Sequence, residues 1–258
     1  CLFSKVAAEP YAVKRLGVEQ GLSNNFVVGI TQDKQGFLWF ATEEGLNKFD
    51  GTRFITYYKN EDNKQSITGN ELNRVYTDSG RPIIWIATQR SGLNAYNYET
   101  QTFTAYRHDP NNPQSLITDD VTDIAPSSQS AAGIWVSTYY RGIDYLDIST
   151  GKFTHYNKET VPGMVNEQAW TVLDGGDGNI YIGHVNGGLS ILSLSSKRLR
   201  NFKSGGKNAT SLPGNNVRCI YKDSNGNIWV GTDHGLALFN PESGEFVNFK
   251  NNINEPYG

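Results

Sequence analysis

Apolar and polar residues alternate along this chain in short runs, and Asn, Asp, Gly and Ser interrupt the runs at regular intervals. Period-two runs of this kind predict β-strands joined by tight turns. The pattern is clearest over residues 223–249. There a turn at Asn225-Gly226 leads into an apolar run centred on Trp229, and a polar loop leads into Gly235-Leu236. A second turn, Glu242-Ser243-Gly244, leads into Phe246 and Phe249, which completes an antiparallel unit.

The unit recurs. Trp39, Trp85, Trp135 and Tyr181 stand where Trp229 stands, at spacings of 46, 50, 46 and 48 residues, and a period in this range marks a repeat architecture. Each anchor is followed by Gly and a branched aliphatic: Gly45-Leu46, Gly92-Leu93, Gly142-Ile143, Gly188-Leu189 and Gly235-Leu236. Pairs three residues apart come next, Phe54/Tyr57, Phe103/Tyr106, Phe153/Tyr156, Leu199/Phe202 and Phe246/Phe249. Near the start of each repeat, Asn25, Asn70, Asp119, Glu167 or Asn215 lies two residues before an apolar position. The repeats span 22–59, 67–107, 116–157, 164–203 and 212–250.

In the first repeat the pattern predicts strands over 26–32, 37–42, 46–50 and 53–58, an up-and-down meander of four. One such sheet cannot bury both faces, and radial stacking of several gives a β-propeller. The predicted class is all-β, a β-propeller of four-stranded antiparallel blades with five repeats present within residues 9–258. The anchoring aromatics then become core between blades. Residues 11–16 read as a further strand, surplus to five complete blades. An open arc, or a chain that fills its gap with a neighbour, follows as the expectation in place of a closed five-bladed ring, with apolar positions such as Phe40 and Val230 left exposed at its ends.

Composition narrows the picture. Aromatics at 12% with 27 glycines and 9 prolines agree with many short strands and turns. A net charge of −3 with scattered Lys and Arg gives no basis for a nucleic-acid interface. Cys1 and Cys219 have no metal-ligand spacing, so neither a metal, a cofactor nor a disulfide framework is expected. Residues 1–8 read as the remnant of a secretory signal, with Val6 and Ala8 before a cleavage point at Glu9. An ordinary N-terminal extension and a lipidated Cys1 are the alternatives.

The pattern N-x-V-x-x-I-x-x-D-x-x-G-x-[IL]-W-x-[GA]-T-x-x-G-L, read from Asn25 to Leu46 and again from Asn215 to Leu236, resembles the periplasmic propeller repeats of hybrid two-component sensors of gut Bacteroidetes. Similar repeats front other signalling outputs, diguanylate cyclases among them. The resemblance implies an extracytoplasmic, periplasmic segment of a membrane-anchored, dimeric parent whose propellers are seven-bladed, so that the five repeats here are part of a seven-bladed propeller. Such a parent recognises an oligosaccharide and passes the signal to a histidine kinase outside this segment, controlling polysaccharide-use genes. It implies no enzyme activity for this chain.

The four histidines, His108, His155, His184 and His234, lie at non-equivalent positions, which offers no catalytic constellation. A propeller lyase or hydrolase, or a scaffold that only dimerises, remains as the alternative. Binding residues are sought where the repeats differ while the frame stays fixed, in the loops between second and third strands. Those loops supply Gln89 and Arg90, then Tyr139, Tyr140 and Arg141, then His184 and Asn186, then Asp233 and His234. Two aromatics beside a guanidinium make Tyr139-Tyr140-Arg141 the leading candidate. Trp170 breaks its column, where the other repeats have Val28, Asn73, Thr122 and Arg218. Core packing and a ligand platform are both open for it.

Overall fold

Each repeat folds as one antiparallel meander whose strands follow sequence order across the sheet. The computed structural model describes residues 13–164, 166–205 and 211–249. Blade one is β1 (Val27–Gln32), β2 (Leu38–Thr42), β3 (Gly45–Phe49) and β4 (Phe54–Tyr57). Blade two is β5 (Leu72–Thr77), β6 (Ile83–Thr88), β7 (Leu93–Asn97) and β8 (Thr102–Tyr106). Blade three is β9 (Val121–Pro126), β10 (Gly133–Thr138), β11 (Gly142–Asp147) and β12 (Lys152–Tyr156). Blade four is β13 (Ala169–Asp174), β14 (Asn179–His184), β15 (Gly188–Ser193) and β16 (Leu199–Phe202). Blade five is β17 (Val217–Lys222), β18 (Ile228–Thr232), β19 (Gly235–Phe239) and β20 (Phe246–Phe249). The first strands of successive blades adjoin and line a central channel.

Side-chain parity along the second strands fixes how blades stack, because neighbouring residues point to opposite faces. The anchor aromatic faces the following blade. Trp39 packs with Ile84 and Ile86, Trp85 with Ile134 and Val136, Trp135 with Ile180 and Ile182, and Tyr181 with Ile228 and Val230. Four buried clusters therefore join consecutive blades, and none among the described residues joins blade five to blade one. The blades form an open arc.

Parity also corrects the expectation for the arc's ends. Phe40 is partly exposed as expected, but Val230 is 0% exposed, since it points back at blade four. The open face of blade five carries the half-buried Trp229 instead, with Tyr221, Leu236, Val247 and Phe249 exposed around it. The surplus strand expected over residues 11–16 does not form where it is described: residues 13–16 pair with no strand, and Val13 is 92% exposed. A lone extended segment without a partner edge leaves its backbone groups to water. Residues 1–12, with the proposed signal remnant, and 250–258 lie outside the described residues.

The recurring polar positions hold the frame. Asp33, Asp78 and Asp223 shape the first hairpin, and each carboxylate also accepts the indole N–H of its own anchor, Trp39 at 2.8 Å, Trp85 at 3.2 Å and Trp229 at 3.0 Å. Ser127 replaces this Asp in blade three, and Trp135 donates instead to Asp174 of blade four at 3.1 Å.

The Asn, Asp or Glu that opens a repeat latches it to the preceding blade. Asn70 accepts the Lys59 N–H through its side chain at 2.7 Å and the Gly45 N–H through its carbonyl at 2.7 Å. Asp119, Glu167 and Asn215 repeat the arrangement with His108 and Gly92, Lys158 and Gly142, and Ser204 and Gly188. Gly45 occupies its place because φ is +106° and a Cβ there would lie 2.9 Å from the Tyr57 carbonyl oxygen.

Candidate functional site at the channel mouth

In every blade the first strand carries one residue that is skipped in the pairing with the second strand. The skipped residues are Val28, Asn73, Thr122, Trp170 and Arg218. A bulge of this kind frees a side chain from the sheet alternation and re-aims it. Five bulges in register turn one column of side chains toward the same end of the channel. That end opens as a cavity of about 820 Å³, lined by all five bulge residues and by Glu43, Glu44 and Gln89 of the loops between second and third strands. The size lies in the range of small-ligand sites, roughly 300–1,000 Å³.

Trp170 is the centre of an aromatic shelf shared by three blades. Its ring lies edge to face with Tyr139 of blade three, 6.4 Å between centroids at 79°, and Tyr139 meets Tyr140 at 4.6 Å and 84°. On the other side the Arg218 guanidinium of blade five lies 5.7 Å from the Trp170 centroid. That distance is within cation–π reach. Trp170 is half-buried, so it presents part of its ring to the cavity.

Beneath the shelf a buried carboxylate ties blades two, three and four together. Asp123 accepts from Arg74 Nε at 3.1 Å, Thr171 Oγ1 at 2.7 Å and the backbone N–H of Ile124 at 2.9 Å and of Val172 at 3.3 Å. Burial raises its pKa, and Arg74 with the hydrogen bonds opposes the rise. Four donors on one carboxylate fix the channel wall rather than leave it free to respond to ligand.

The sequence candidates fall into three groups. Gln89 and Trp170 line the cavity, and Tyr139 packs on Trp170. Tyr140 and Arg141 are exposed on the same loop. Arg90 reaches Glu71 at 3.3 Å, and Asn186 donates its N–H to Asn216 Oδ1 at 2.8 Å; both hold positive φ at the tips of their loops. Asp233 is held between Asn216 Nδ2 at 2.7 Å and His234 Nδ1 at 2.9 Å, and these contacts, Asn216 first, lower its pKa.

His184 is a correction. It is 1% exposed, the last residue of β14, in the register position that Thr42, Thr88, Thr138 and Thr232 hold in the other blades. Its Nε2 meets Ser190 Oγ at 2.8 Å and its Nδ1 has no partner. It belongs to the blade interior and not to the rim. Arg74 and Asp123 lie on first strands and Glu71 just before one, outside the variable loops between second and third strands. The signal for Arg74 and Asp123 was the column after Trp170's, which reads Gly29, Arg74, Asp123, Thr171 and Cys219.

Among the described residues no three His, Cys, Asp or Glu gather as a metal site, and no helix is long and apolar enough to cross a membrane.

This chain matches the family model of two-component regulator propellers at residues 21–44 and 211–234, the beginnings of blades one and five. It is similar to the extracellular domain of the putative hybrid two-component system BT3049 from B. thetaiotaomicron, at 65% identity and a TM-score of 0.87 over 93% of this chain and 32% of that one. The extracellular domain of the putative hybrid two-component system BT4673 from the same organism shares the fold, at 20% identity and a TM-score of 0.75 over 94% of this chain and 33% of that one. Histidine kinase P4 of Formosa agariphila is 50% identical over 48 residues, 19% of this chain and 4% of that protein. The chain thus spans about a third of the solved extracellular domains it matches.

Proposed function

We propose that this chain is the ligand-recognising part of an extracytoplasmic sensor, that its ligand is an oligosaccharide bound at the channel mouth, and that the parent is a membrane-anchored dimer controlling polysaccharide-use genes. The observation that carries the reading is Trp170, a large aromatic placed on a bulge and facing an 820 Å³ cavity beside Tyr139 and Arg218. An aromatic face covers the apolar side of a sugar ring, while the exposed Gln89 and the side-chain carbonyl of Asn73 in the cavity lining supply hydrogen-bonding groups for hydroxyls. Kinship with extracellular domains of two-component systems supports an input role. Among the described residues two His–carboxylate pairs occur, His155 with Asp144 at 2.7 Å and His234 with Asp233, and neither lines the cavity. The reading therefore assigns no chemical step to this chain.

Titration calorimetry of the chain against oligosaccharides from plant, host and microbial glycans tests it. At least one should bind, and Trp170→Ala should weaken that binding by at least about tenfold, ~1.4 kcal/mol, with the fold retained by circular dichroism. Binding by no member of the panel, or binding indifferent to Trp170→Ala, contradicts the reading.

A further inference from the structure

The charges around the mouth are sorted. Arg74 and Arg218 are the arginines that line the cavity, and Arg74 is committed to Asp123 at 3.1 Å. Arg218 is exposed, and among the described residues its guanidinium has no carboxylate partner; its recorded contact is the face of Trp170. Of the lining carboxylates, Asp123 is held by Arg74 and Glu71 by Arg90, while Glu43 and Glu44 stand on blade one at the other end of the arc from Arg218.

The Arg218 guanidinium lies 5.7 Å from the Trp170 centroid, within cation–π reach, and its forked N–H groups suit a carboxylate through two parallel hydrogen bonds. A sugar ring seated on Trp170 would bring a ring substituent to that guanidinium. With Asp123 paired to Arg74 and Glu71 to Arg90, Glu43 and Glu44 face Arg218 across the mouth, and their negative charge disfavours a densely charged polyanion.

Resting on the oligosaccharide reading of this mouth, we infer that the ligand class is a sparsely charged acidic oligosaccharide, whose sugar ring stacks on Trp170 while its single carboxylate pairs with Arg218. A neutral glycan would leave Arg218 unused, and a polysulfated one would meet Glu43 and Glu44. Arg218 is then the specificity-determining residue of the site.

The test is a matched-pair titration of the full chain and of Arg218→Gln. The pairs are sialyl-lactose with lactose, trigalacturonate with its carboxyl-reduced counterpart, and a glucuronoxylo-oligosaccharide with the unsubstituted xylo-oligosaccharide; a heparin hexasaccharide is added. Expected is at least one acidic member binding about tenfold or more tighter than its neutral partner, a preference that weakens with added salt. Arg218→Gln should abolish that preference, weakening the acidic member at least about tenfold more than the neutral one. Neutral members binding as well as acidic ones, a preference that survives Arg218→Gln, or heparin binding tightest would each overturn the inference while leaving saccharide recognition standing. No sugar binding at all would take down both.

Discussion

At the residue scale, His184 and His155 make opposite predictions about pH. His184 is buried where the other blades have Thr, and burial pushes its pKa down to about 4. Its folded pKa lies below the unfolded value of 6.5, so the full stability is present above that value and is lost as pH falls toward 4. Two to three pH units at ~1.4 kcal/mol each make the loss on the order of 3 kcal/mol. His155 runs the other way. The hydrogen bond to Asp144 raises its pKa above 6.5, so its contribution is present below 6.5 and fades as pH rises through the folded value. Urea unfolding midpoints between about pH 8 and about pH 5 should therefore show His184→Thr gaining on the wild type as the solution becomes acidic, and His155→Asn falling behind it. Parallel pH profiles for both variants and the wild type would contradict the burial of His184 and the pairing of His155.

At the element scale the blade is held by a short list of polar contacts, and they can be weighed singly. Asp119 accepts the His108 N–H at 2.8 Å and an Arg107 Nη2 hydrogen bond at 2.7 Å, both from the end of the preceding blade. Asp119→Ala should cost about 1–2 kcal/mol in chemical denaturation, since the loss includes a partly exposed N–H left without its acceptor. Asp174→Ala should cost a similar amount, because it frees the Trp135 indole and the Ser128 N–H of the neighbouring blade together. No change in either would show that the latches are incidental to stacking.

These elements also show what the sequence makes legible. Strands and anchors were readable because burial of one sheet face imposes a two-residue period, and because five copies repeat each signal. The bulges were not, since one unpaired residue leaves composition and period nearly untouched. That is why Trp170 stood out as an oddity while its geometry did not. His184 was misplaced for a related reason. It adjoins a variable loop, and only alignment to Thr42 reveals that it ends a strand inside the blade. The Trp135–Asp174 bond was hidden because the partner sits in another repeat, whereas the Asp33–Trp39 bond lies within one.

At the scale of the whole molecule, the arc makes neighbouring blades the unit of stability, as in repeat proteins generally. Trp85 is 0% exposed between blades two and three, while Trp229 is half-buried on the open face of blade five. Trp85→Ala should therefore cost about 3–5 kcal/mol, in the range for truncating a buried aromatic, and Trp229→Ala clearly less. Equal costs would mean that something covers the face of blade five. The channel mouth draws residues from all five blades.

The most direct measurement is a crystal structure of the chain grown with the tightest-binding oligosaccharide from the calorimetric panel. The account predicts a sugar ring against the face of Trp170, with an acidic substituent at Arg218 and hydroxyls on the bulge residues of neighbouring blades. A sugar bound elsewhere on the molecule, with Trp170 and Arg218 untouched, would contradict it.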